Sequence, residues 1–324
     1  MSAAPGRRKP DWLKIKAPAP RQYRATGALL DELELHTVCA EARCPNKGEC
    51  FASGTATFLI LGDVCTRACT FCAVKGEGKA RPAGSSEDAT GGRAGTDPRS
   101  GGASGSGLCA LDEDEPRRVA EAVRRLGLRH VVVTSVTRDD LPDGGAAQFA
   151  ATVGAVRAAT PAATVEVLIP DLGGDEAALR AVLAARPDVL NHNLETVPLL
   201  YPRVRPQARY ERSLELLARA AAWARSPGQG SARPLVKTGL MVGLGETTEE
   251  VGEVLADAAS AGVDAVTVGQ YLMPHGGCLP VARYVAPEEF EGYERRGVAL
   301  GLTVVAAPFV RSSYRAGELL ERGA

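Results

Sequence analysis

Six of the chain's eight cysteines fall between Cys39 and Cys72, in two triplets, Cys39-x4-Cys44-x5-Cys50 and Cys65-x3-Cys69-x2-Cys72. Any fold this chain adopts must accommodate those six thiols within a short stretch. A small secreted chain would pair them as disulfides. A chain of 324 residues with 45% hydrophobic content can bury a core of its own, and there clustered cysteines point to metal or catalysis. Thiolates are the usual ligands of [4Fe-4S] clusters. Three thiolates on one loop hold three irons of a cube and leave the fourth open to something other than protein. Structural zinc would ask for four ligands in a closed site, commonly from paired C-x2-C or Cys/His segments. Here a single C-x2-C lies inside the second triplet.

The surrounding pattern is that of an α/β chain. Thr57–Leu61 (TFLIL) reads as a buried strand running directly into Gly62, Asp63 and the second triplet. Further strands are expected at His130–Thr134, Thr164–Ile169, Val189–Asn191, Val236–Met241, Ala265–Val268 and Leu302–Val305. Helical spacing separates them: Val119, Ala122, Val123 and Leu126 up to a stop at Gly127, then Gly145–Ala158 and Pro287–Leu300. Strands alternating with helices imply a parallel sheet whose strand C-termini carry the site. The polar stretches Thr134–Asp140, Asn191–Glu195 and Gly243–Glu246 follow strands. About six βα units predict a partial (β/α)6 TIM-like barrel with N- and C-terminal extensions, a doubly wound sheet being the alternative. The division is 1–55 for the N-terminal extension with the first triplet, 56–270 for the barrel and 271–324 for a C-terminal segment packed on it. Gly76 to Asp112 is dominated by Gly, Ser, Ala, Asp and Arg and is expected to be a disordered surface insertion. A long loop is tolerable because its entropic cost grows only logarithmically.

Composition narrows the partners. A formal net charge of −1 argues against nucleic acid. No apolar run approaches the ~20 residues of a membrane span, and MSAAPGRRKPDWLKIKAPAP lacks the apolar core of a secretory signal. The expectation is a soluble, cytoplasmic protein. Arg7, Arg8, Lys9, Lys14 and Lys16 form a basic arm, read either as a solvated tail or as a docking patch for an acidic protein.

C-x3-C-x2-C after the first strand, with Phe71 before the last cysteine, resembles the signature of radical S-adenosylmethionine enzymes. In that family the open iron chelates the methionine moiety of S-adenosyl-L-methionine, and an electron from the cluster cleaves the cofactor to a 5′-deoxyadenosyl radical. Gly239–Glu246 (GLMVGLGE) resembles the family's G-x-I-x-G-x-x-E pattern near the adenine. The first triplet narrows the resemblance to the lipoyl synthase family, whose auxiliary cluster supplies the inserted sulfur. Arg311-Ser312-Ser313-Tyr314 resembles that family's RSSY motif, in which a serine oxygen completes the auxiliary cluster; the match falls on Ser313, with Ser312 as the second choice. The segments KPDWLKIKAP, VVVTSVTRDDLPDGGA, NHNLETV, VRPQARY and GQYLMP extend the resemblance over most of the chain. Cys278 stands where the family often has histidine, and Ala307 where it often has glycine.

The resemblance implies two [4Fe-4S] clusters and S-adenosyl-L-methionine as cofactors, and insertion of two sulfurs at C6 and C8 of an octanoyl chain. Cys65, Cys69 and Cys72 would hold the radical-generating cluster, and Cys39, Cys44, Cys50 and Ser313 the donor cluster. Thr134, Ser135, Asn193, Glu195 and Gly243, at or just after strand ends, are candidates for contacts to S-adenosyl-L-methionine. His192 is read either as a residue near the cofactor or as a core hydrogen bonder. Cys109 reads as an uncommitted thiol, and Cys278 as a loop residue with some capacity to compete as a ligand. The implied partners are octanoylated lipoyl carrier domains (2-oxoacid dehydrogenase E2 subunits and the glycine cleavage H protein), a ferredoxin or flavodoxin, and an iron–sulfur carrier, with neither nucleic acid nor membrane. A biotin-synthase-like sulfur inserter is the nearest rival, and the first triplet ahead of the first strand argues against it. A two-cluster electron carrier would be smaller with full cysteine ligation, and a zinc-stabilised binding module would differ in metal content.

Overall fold

The computed structural model describes residues 9–14, 20–42, 44, 46–52, 56–77, 108–228 and 233–313, the side chains of 20–23, 51 and 52 aside. Arg7, Arg8 and Lys16 of the basic arm, Tyr314, and the interior of the Gly76–Asp112 stretch lie outside the described residues.

The strands are β1 (His36–Thr37), β2 (Thr57–Ile60), β3 (Val64–Cys65), β4 (Lys75–Gly76), β5 (His130–Ser135), β6 (Thr164–Leu168), β7 (Val189–Asn191), β8 (Leu235–Val242), β9 (Ala265–Gln270) and β10 (Thr303–Ala307). Helices α1 (Pro20–Glu32), α2 (Val38–Glu41) and α3 (Lys47–Ala52) precede β2. They are followed by α4 (Glu115–Leu126), α5 (Ala146–Ala159), α6 (Glu176–Ala184), α7 (Tyr201–Val204), α8 (Tyr210–Ala224), α9 (Thr248–Ser260) and α10 (Pro287–Ala299). The main sheet has the order β1-β2-β5-β6-β7-β8-β9-β10. Its neighbours are parallel except for β1, which runs antiparallel to β2. Helical crossovers carry the chain from each parallel strand to the next, as expected, and the edge strands β1 and β10 do not pair. The barrel is therefore open. The seven long-range strands follow the apolar runs of the sequence. The two-residue β1 and the small parallel pair β3–β4 are additions that no apolar run announces.

Register separates the two faces of the sheet. Val131, Val133, Val165, Val167, Leu190, Val236, Val266 and Val268 belong to the apolar core under the helices. Residues of opposite parity share the concave face, and many are polar: Thr57, Thr134, Glu166, Asn191, Lys237 and Thr267. None of the described helices is long and apolar enough to cross a membrane.

The end of β2 aims the cysteine loop. Leu61 has φ 69°, a left-handed conformation that a branched side chain seldom adopts, and flanking groups hold it there. Its N–H donates to Glu115 Oε2 at 3.0 Å and its carbonyl accepts from Arg138 Nη1 at 3.3 Å. Gln148 Nε2 donates to the same Glu115 oxygen at 3.1 Å. Gln148 also donates to the Asp112 carbonyl, and the Asp112 side chain pairs with Arg118. The described residues at the far end of the Gly76–Asp112 stretch are thus anchored, as is Gly76 in β4. Glu115→Ala would strand the buried Leu61 N–H and is expected to lower stability by about 1–3 kcal/mol, the cost of an unsatisfied buried donor, read as a shift of the urea unfolding midpoint at unchanged slope.

Candidate functional site

The second triplet occupies the loop from β3 to β4, and the residues between its cysteines tie that loop down. Thr66 N–H and Oγ1 both donate to the Thr137 carbonyl at 3.0 Å. The Arg67 guanidinium, 5% exposed, grips Asp139 through Nε at 2.8 Å and Nη2 at 2.7 Å, and reaches Asp171 at 2.6 Å. Asp171 is fully buried and takes a further contact from Arg212 at 3.3 Å. Ala68 N–H donates to Gln207 Oε1 at 2.6 Å, and Thr70 bonds the carbonyls of Arg203 and Val204. Phe71 packs beside Val204, Leu244 and Tyr271. The loop is thereby joined to the segments that follow β5 and β6 and to α7 and the residues after it. Two backbone N–H groups, of Arg67 and Thr137, donate to Cys65 Sγ at 3.4 Å. Such contacts to sulfur are one of the protein's means of tuning a bound cluster.

The strand-end candidates line the same rim. Thr134 Oγ1 donates to the Leu168 carbonyl at 2.7 Å, whereas the buried Ser135 Oγ has no partner among the described residues. Asn193 Nδ2 donates to Glu195 Oε1 at 3.0 Å. Glu195 itself has φ 68°, and burial pushes its carboxyl up against the opposing charge of Arg205. Arg205 donates to the Asn193 and Leu194 carbonyls and lies 5.4 Å over the Tyr201 ring. Gly243, φ 99°, begins a turn whose three successive N–H groups, of Gly243, Leu244 and Gly245, donate to the Glu246 carboxylate at 2.5, 2.9 and 3.1 Å. The glutamate of the GLGE stretch folds the turn, and a Cβ at Gly243 would strike Gln270 and the Arg283 carbonyl. His192 Nδ1 sits 2.8 Å from the Ile169 carbonyl, which fixes a proton there, and burial lowers its pKa to about 4. Its Nε2, Asn191 Oδ1 and Arg205 Nε are buried without partners among the described residues. A rim with several unsatisfied buried polar atoms suits a polar cofactor that the chain does not itself supply.

The first triplet lies on α2, the following loop and α3. Cys39 is 5% exposed. Burial pushes its thiol up to about 11 and that of Cys50 up to about 12, and the charges of neighbouring triplet members add to both shifts. Burial also raises Cys69, which Arg205 partly offsets. The C-terminal run closes over this region. Asn46 Nδ2 donates to the Phe309 carbonyl at 2.8 Å. Burial lowers the Arg311 pKa, opposed by the charges of Cys44 and Glu195. Ser312 Oγ donates to Asn193 Oδ1 at 2.8 Å, and Ser313 follows it, partly buried. Cys278 is buried near the second triplet, its sulfur 3.4 Å from His275 Nε2 and 3.6 Å from the Cys72 carbonyl, whereas Cys109 is exposed.

No described cysteine is in a disulfide. Among the described residues no three His, Cys, Asp or Glu side chains converge on a single-ion site. A cubane asks for a different arrangement, one soft thiolate at each of several corners, and that donor set is present in both triplets. The concave-face pair Glu166 and Lys237, the Arg67–Asp171 pair and Asn46 escaped the sequence reading, which named Arg311 only as part of the RSSY motif. Single charges inside the apolar strands TVEVLI and LVKTGLMV were the available signal for the first pair.

Arg67→Ala would leave Asp171 buried without its main partner, at an expected cost of about 3–5 kcal/mol. Burial works against the Asp171 charge, but the hydrogen bond and charge of Arg67 outweigh it and hold the carboxyl below its usual range. A depressed folded pKa contributes stability above the unfolded value, roughly pH 4, and loses it as pH falls through the folded value. In the variant burial acts against a weaker counter-charge. The stability gap between wild type and variant should be widest near neutrality and narrow below about pH 4, measured by urea unfolding across that range.

The family model of the Radical SAM superfamily matches residues 59–258, and the model of the N-terminal domain of lipoyl synthase of the radical SAM family matches residues 3–44. Lipoyl synthase of Nitratidesulfovibrio vulgaris (strain DP4) is 52% identical over 316 residues, covering 97% of this chain and 93% of that protein. Lipoyl synthase of Caldanaerobacter subterraneus subsp. tengcongensis is 50% identical over 321 residues, covering 98% and 99%. Among solved structures, Streptococcus suis SuiB bound to S-adenosylmethionine shares the fold at a TM-score of 0.50 and 10% identity, over 81% of this chain and 54% of that one.

Proposed function

The chain belongs to the lipoyl synthase family of radical S-adenosylmethionine enzymes, and we propose that Cys65, Cys69 and Cys72 hold its S-adenosyl-L-methionine-binding cluster while Cys39, Cys44, Cys50 and Ser313 hold its sulfur-donating one. The family's reaction inserts two sulfurs, taken from the auxiliary cluster, at C6 and C8 of an octanoyl group on a lipoyl carrier protein. When bound, the cofactors supply the one-electron cleavage of S-adenosyl-L-methionine and the sulfur, which matters because acid–base groups cannot remove hydrogens from unactivated carbons.

The protein's own residues do the rest. Its loop anchors, Thr66, Arg67, Ala68 and Thr70, keep three thiols on one rigid rim. Ser135 Oγ, without a partner among the described residues, and Asn193, Glu195, Thr134 and Gly243 line the polar edge where S-adenosyl-L-methionine would be oriented. The raised thiols of Cys39 and Cys50 must each give up a proton on ligation, so auxiliary-cluster loading releases protons and is favoured as pH rises. The observation that carries the donor-site reading is the Asn46–Phe309 contact, which draws the Ser313-bearing run against the first triplet. An alkoxide is a harder ligand than thiolate and binds a soft site less firmly, which suits a cluster meant to be dismantled. Octanoylated E2 domains of 2-oxoacid dehydrogenases and the glycine cleavage H protein are the proposed carriers, a ferredoxin or flavodoxin the electron source, and an iron–sulfur carrier the means of reloading. The division 1–55, 56–270 and 271–324 and a cytoplasmic location belong to the same reading.

Reconstituted wild type is expected to hold about eight irons per chain, and a Cys39/Cys44/Cys50 triple Ala variant about four. Given dithionite, the variant should still cleave S-adenosyl-L-methionine while forming no carbon–sulfur bond. Wild type without added sulfur should make at most about one product per chain and lose auxiliary iron as it does so. Mass spectrometry of product alongside Mössbauer spectroscopy checks both; thiolated product from the triple variant would overturn the assignment.

A further inference from the structure

Glu166 on β6 and Lys237 on β8 meet on the concave face with side-chain exposures of 0% and 1%. Lys237 Nζ donates to Glu166 Oε1 at 2.9 Å and Oε2 at 3.2 Å. Asn191 Nδ2 donates to Oε1 at 2.8 Å, and His130 Nε2 lies 3.5 Å from Oε2. A buried ion pair often stabilises a fold no better than apolar side chains of the same volume, so stability alone does not account for it. An ammonium has three donors, and Lys237 Nζ also reaches outside the pair, to the backbone carbonyl of Ser312 at 2.5 Å.

Other features converge on the same short run. Ser312 Oγ donates to Asn193 Oδ1, and Asn46 holds the Phe309 carbonyl. A Cβ at Gly239 would come within 2.5 Å of Ser312 Oγ, and one at Gly269 would strike the Val310 carbonyl, so both strands are cut away where the run crosses them. We propose that Lys237, set by Glu166, is a positioning residue that latches the run Val310–Ser313 to the barrel. The run then stays seated when Ser313 holds no iron, and the emptied auxiliary site keeps its shape for reloading. This inference rests on the reading of Ser313 as a ligand. The latch itself is a property of the metal-free chain and is tested there.

Lys237→Met alone leaves a buried carboxylate and can fail to fold, so Glu166→Gln/Lys237→Met is the informative variant. It removes both charges at nearly constant volume. Full-length wild type and variant, without metal, are digested briefly with trypsin, and cleavage of the Arg311–Ser312 bond is measured by mass spectrometry relative to that at Arg295, whose side chain is 72% exposed. The variant is expected to be cut at Arg311 about tenfold faster, the equivalent of losing one hydrogen bond to a charged group. After reconstitution it should keep the S-adenosyl-L-methionine-cleaving cluster and lose auxiliary iron to a chelator about tenfold faster, seen as selective loss of one Mössbauer component. Wild-type rates of Arg311 cleavage in a folded variant would overturn the latch. Ser313→Ala run in parallel separates the two readings: full, chelator-resistant auxiliary iron in that variant would refute the serine ligand, while Arg311 cleavage still decides the latch.

Discussion

Glu166 occupies a fully buried position in the middle of a strand, and much of the concave face follows from that. A carboxylate stripped of water costs several kcal/mol unless a counter-charge and hydrogen bonds replace the solvent. Lys237 on β8 and Asn191 on β7 provide them, with His130 on β5 3.5 Å away, and the Lys237 charge and the His130 contact outweigh burial to keep the carboxyl below its usual range. Parallel pairing keeps residues of one parity on one side, so this polar centre excludes an ordinary hydrophobic filling of the barrel. The last described residues, not a layer of apolar side chains, cover it.

The two thiol groups are supported in different ways. The second triplet rides on a loop whose intervening residues all make tertiary contacts, and the buried Arg67 joins it to the segments after two strands through Asp139 and Asp171. The first triplet sits on short helices of few turns, and the opposite end of the chain reaches it through the Asn46–Phe309 bond. A rigid rim suits a centre that must keep its geometry through many reactions, and a separable cover suits one that must open.

Local pattern made the strands and the triplets legible. Thr57–Ile60, His130–Ser135 and Thr303–Ala307 announce themselves by β-branched apolar runs, and cysteine spacing is a property of a few adjacent residues. β1 stayed hidden because two residues make no pattern; pairing with Leu59 and Phe58 defines it. Arg67 and Asp171 look like ordinary charged residues in one dimension, and the bonds of Arg67 to Asp139 and Asp171 and of Lys237 to Glu166 span 71 to 104 positions. The GLGE stretch was legible as a motif, but its glutamate's part in gathering three backbone N–H groups required the turn's coordinates. The boundaries of the Gly76–Asp112 stretch were set by composition, which does not register that Gly76 pairs with Cys65 or that Asp112 braces the next helix.

The Asn46–Phe309 contact spans 263 positions. A chain made from its N-terminus can complete the loop of Cys65, Cys69 and Cys72 once the segment through Leu279 has been translated, since that residue supplies the most distant of the loop's backbone bonds, to Thr70. The region of Cys39, Cys44 and Cys50 is translated earlier, yet it waits for the last strand and the run after it. Contacts of such long sequence separation form late. The thiols that leave the ribosome first are the last whose surrounding contacts can all be made.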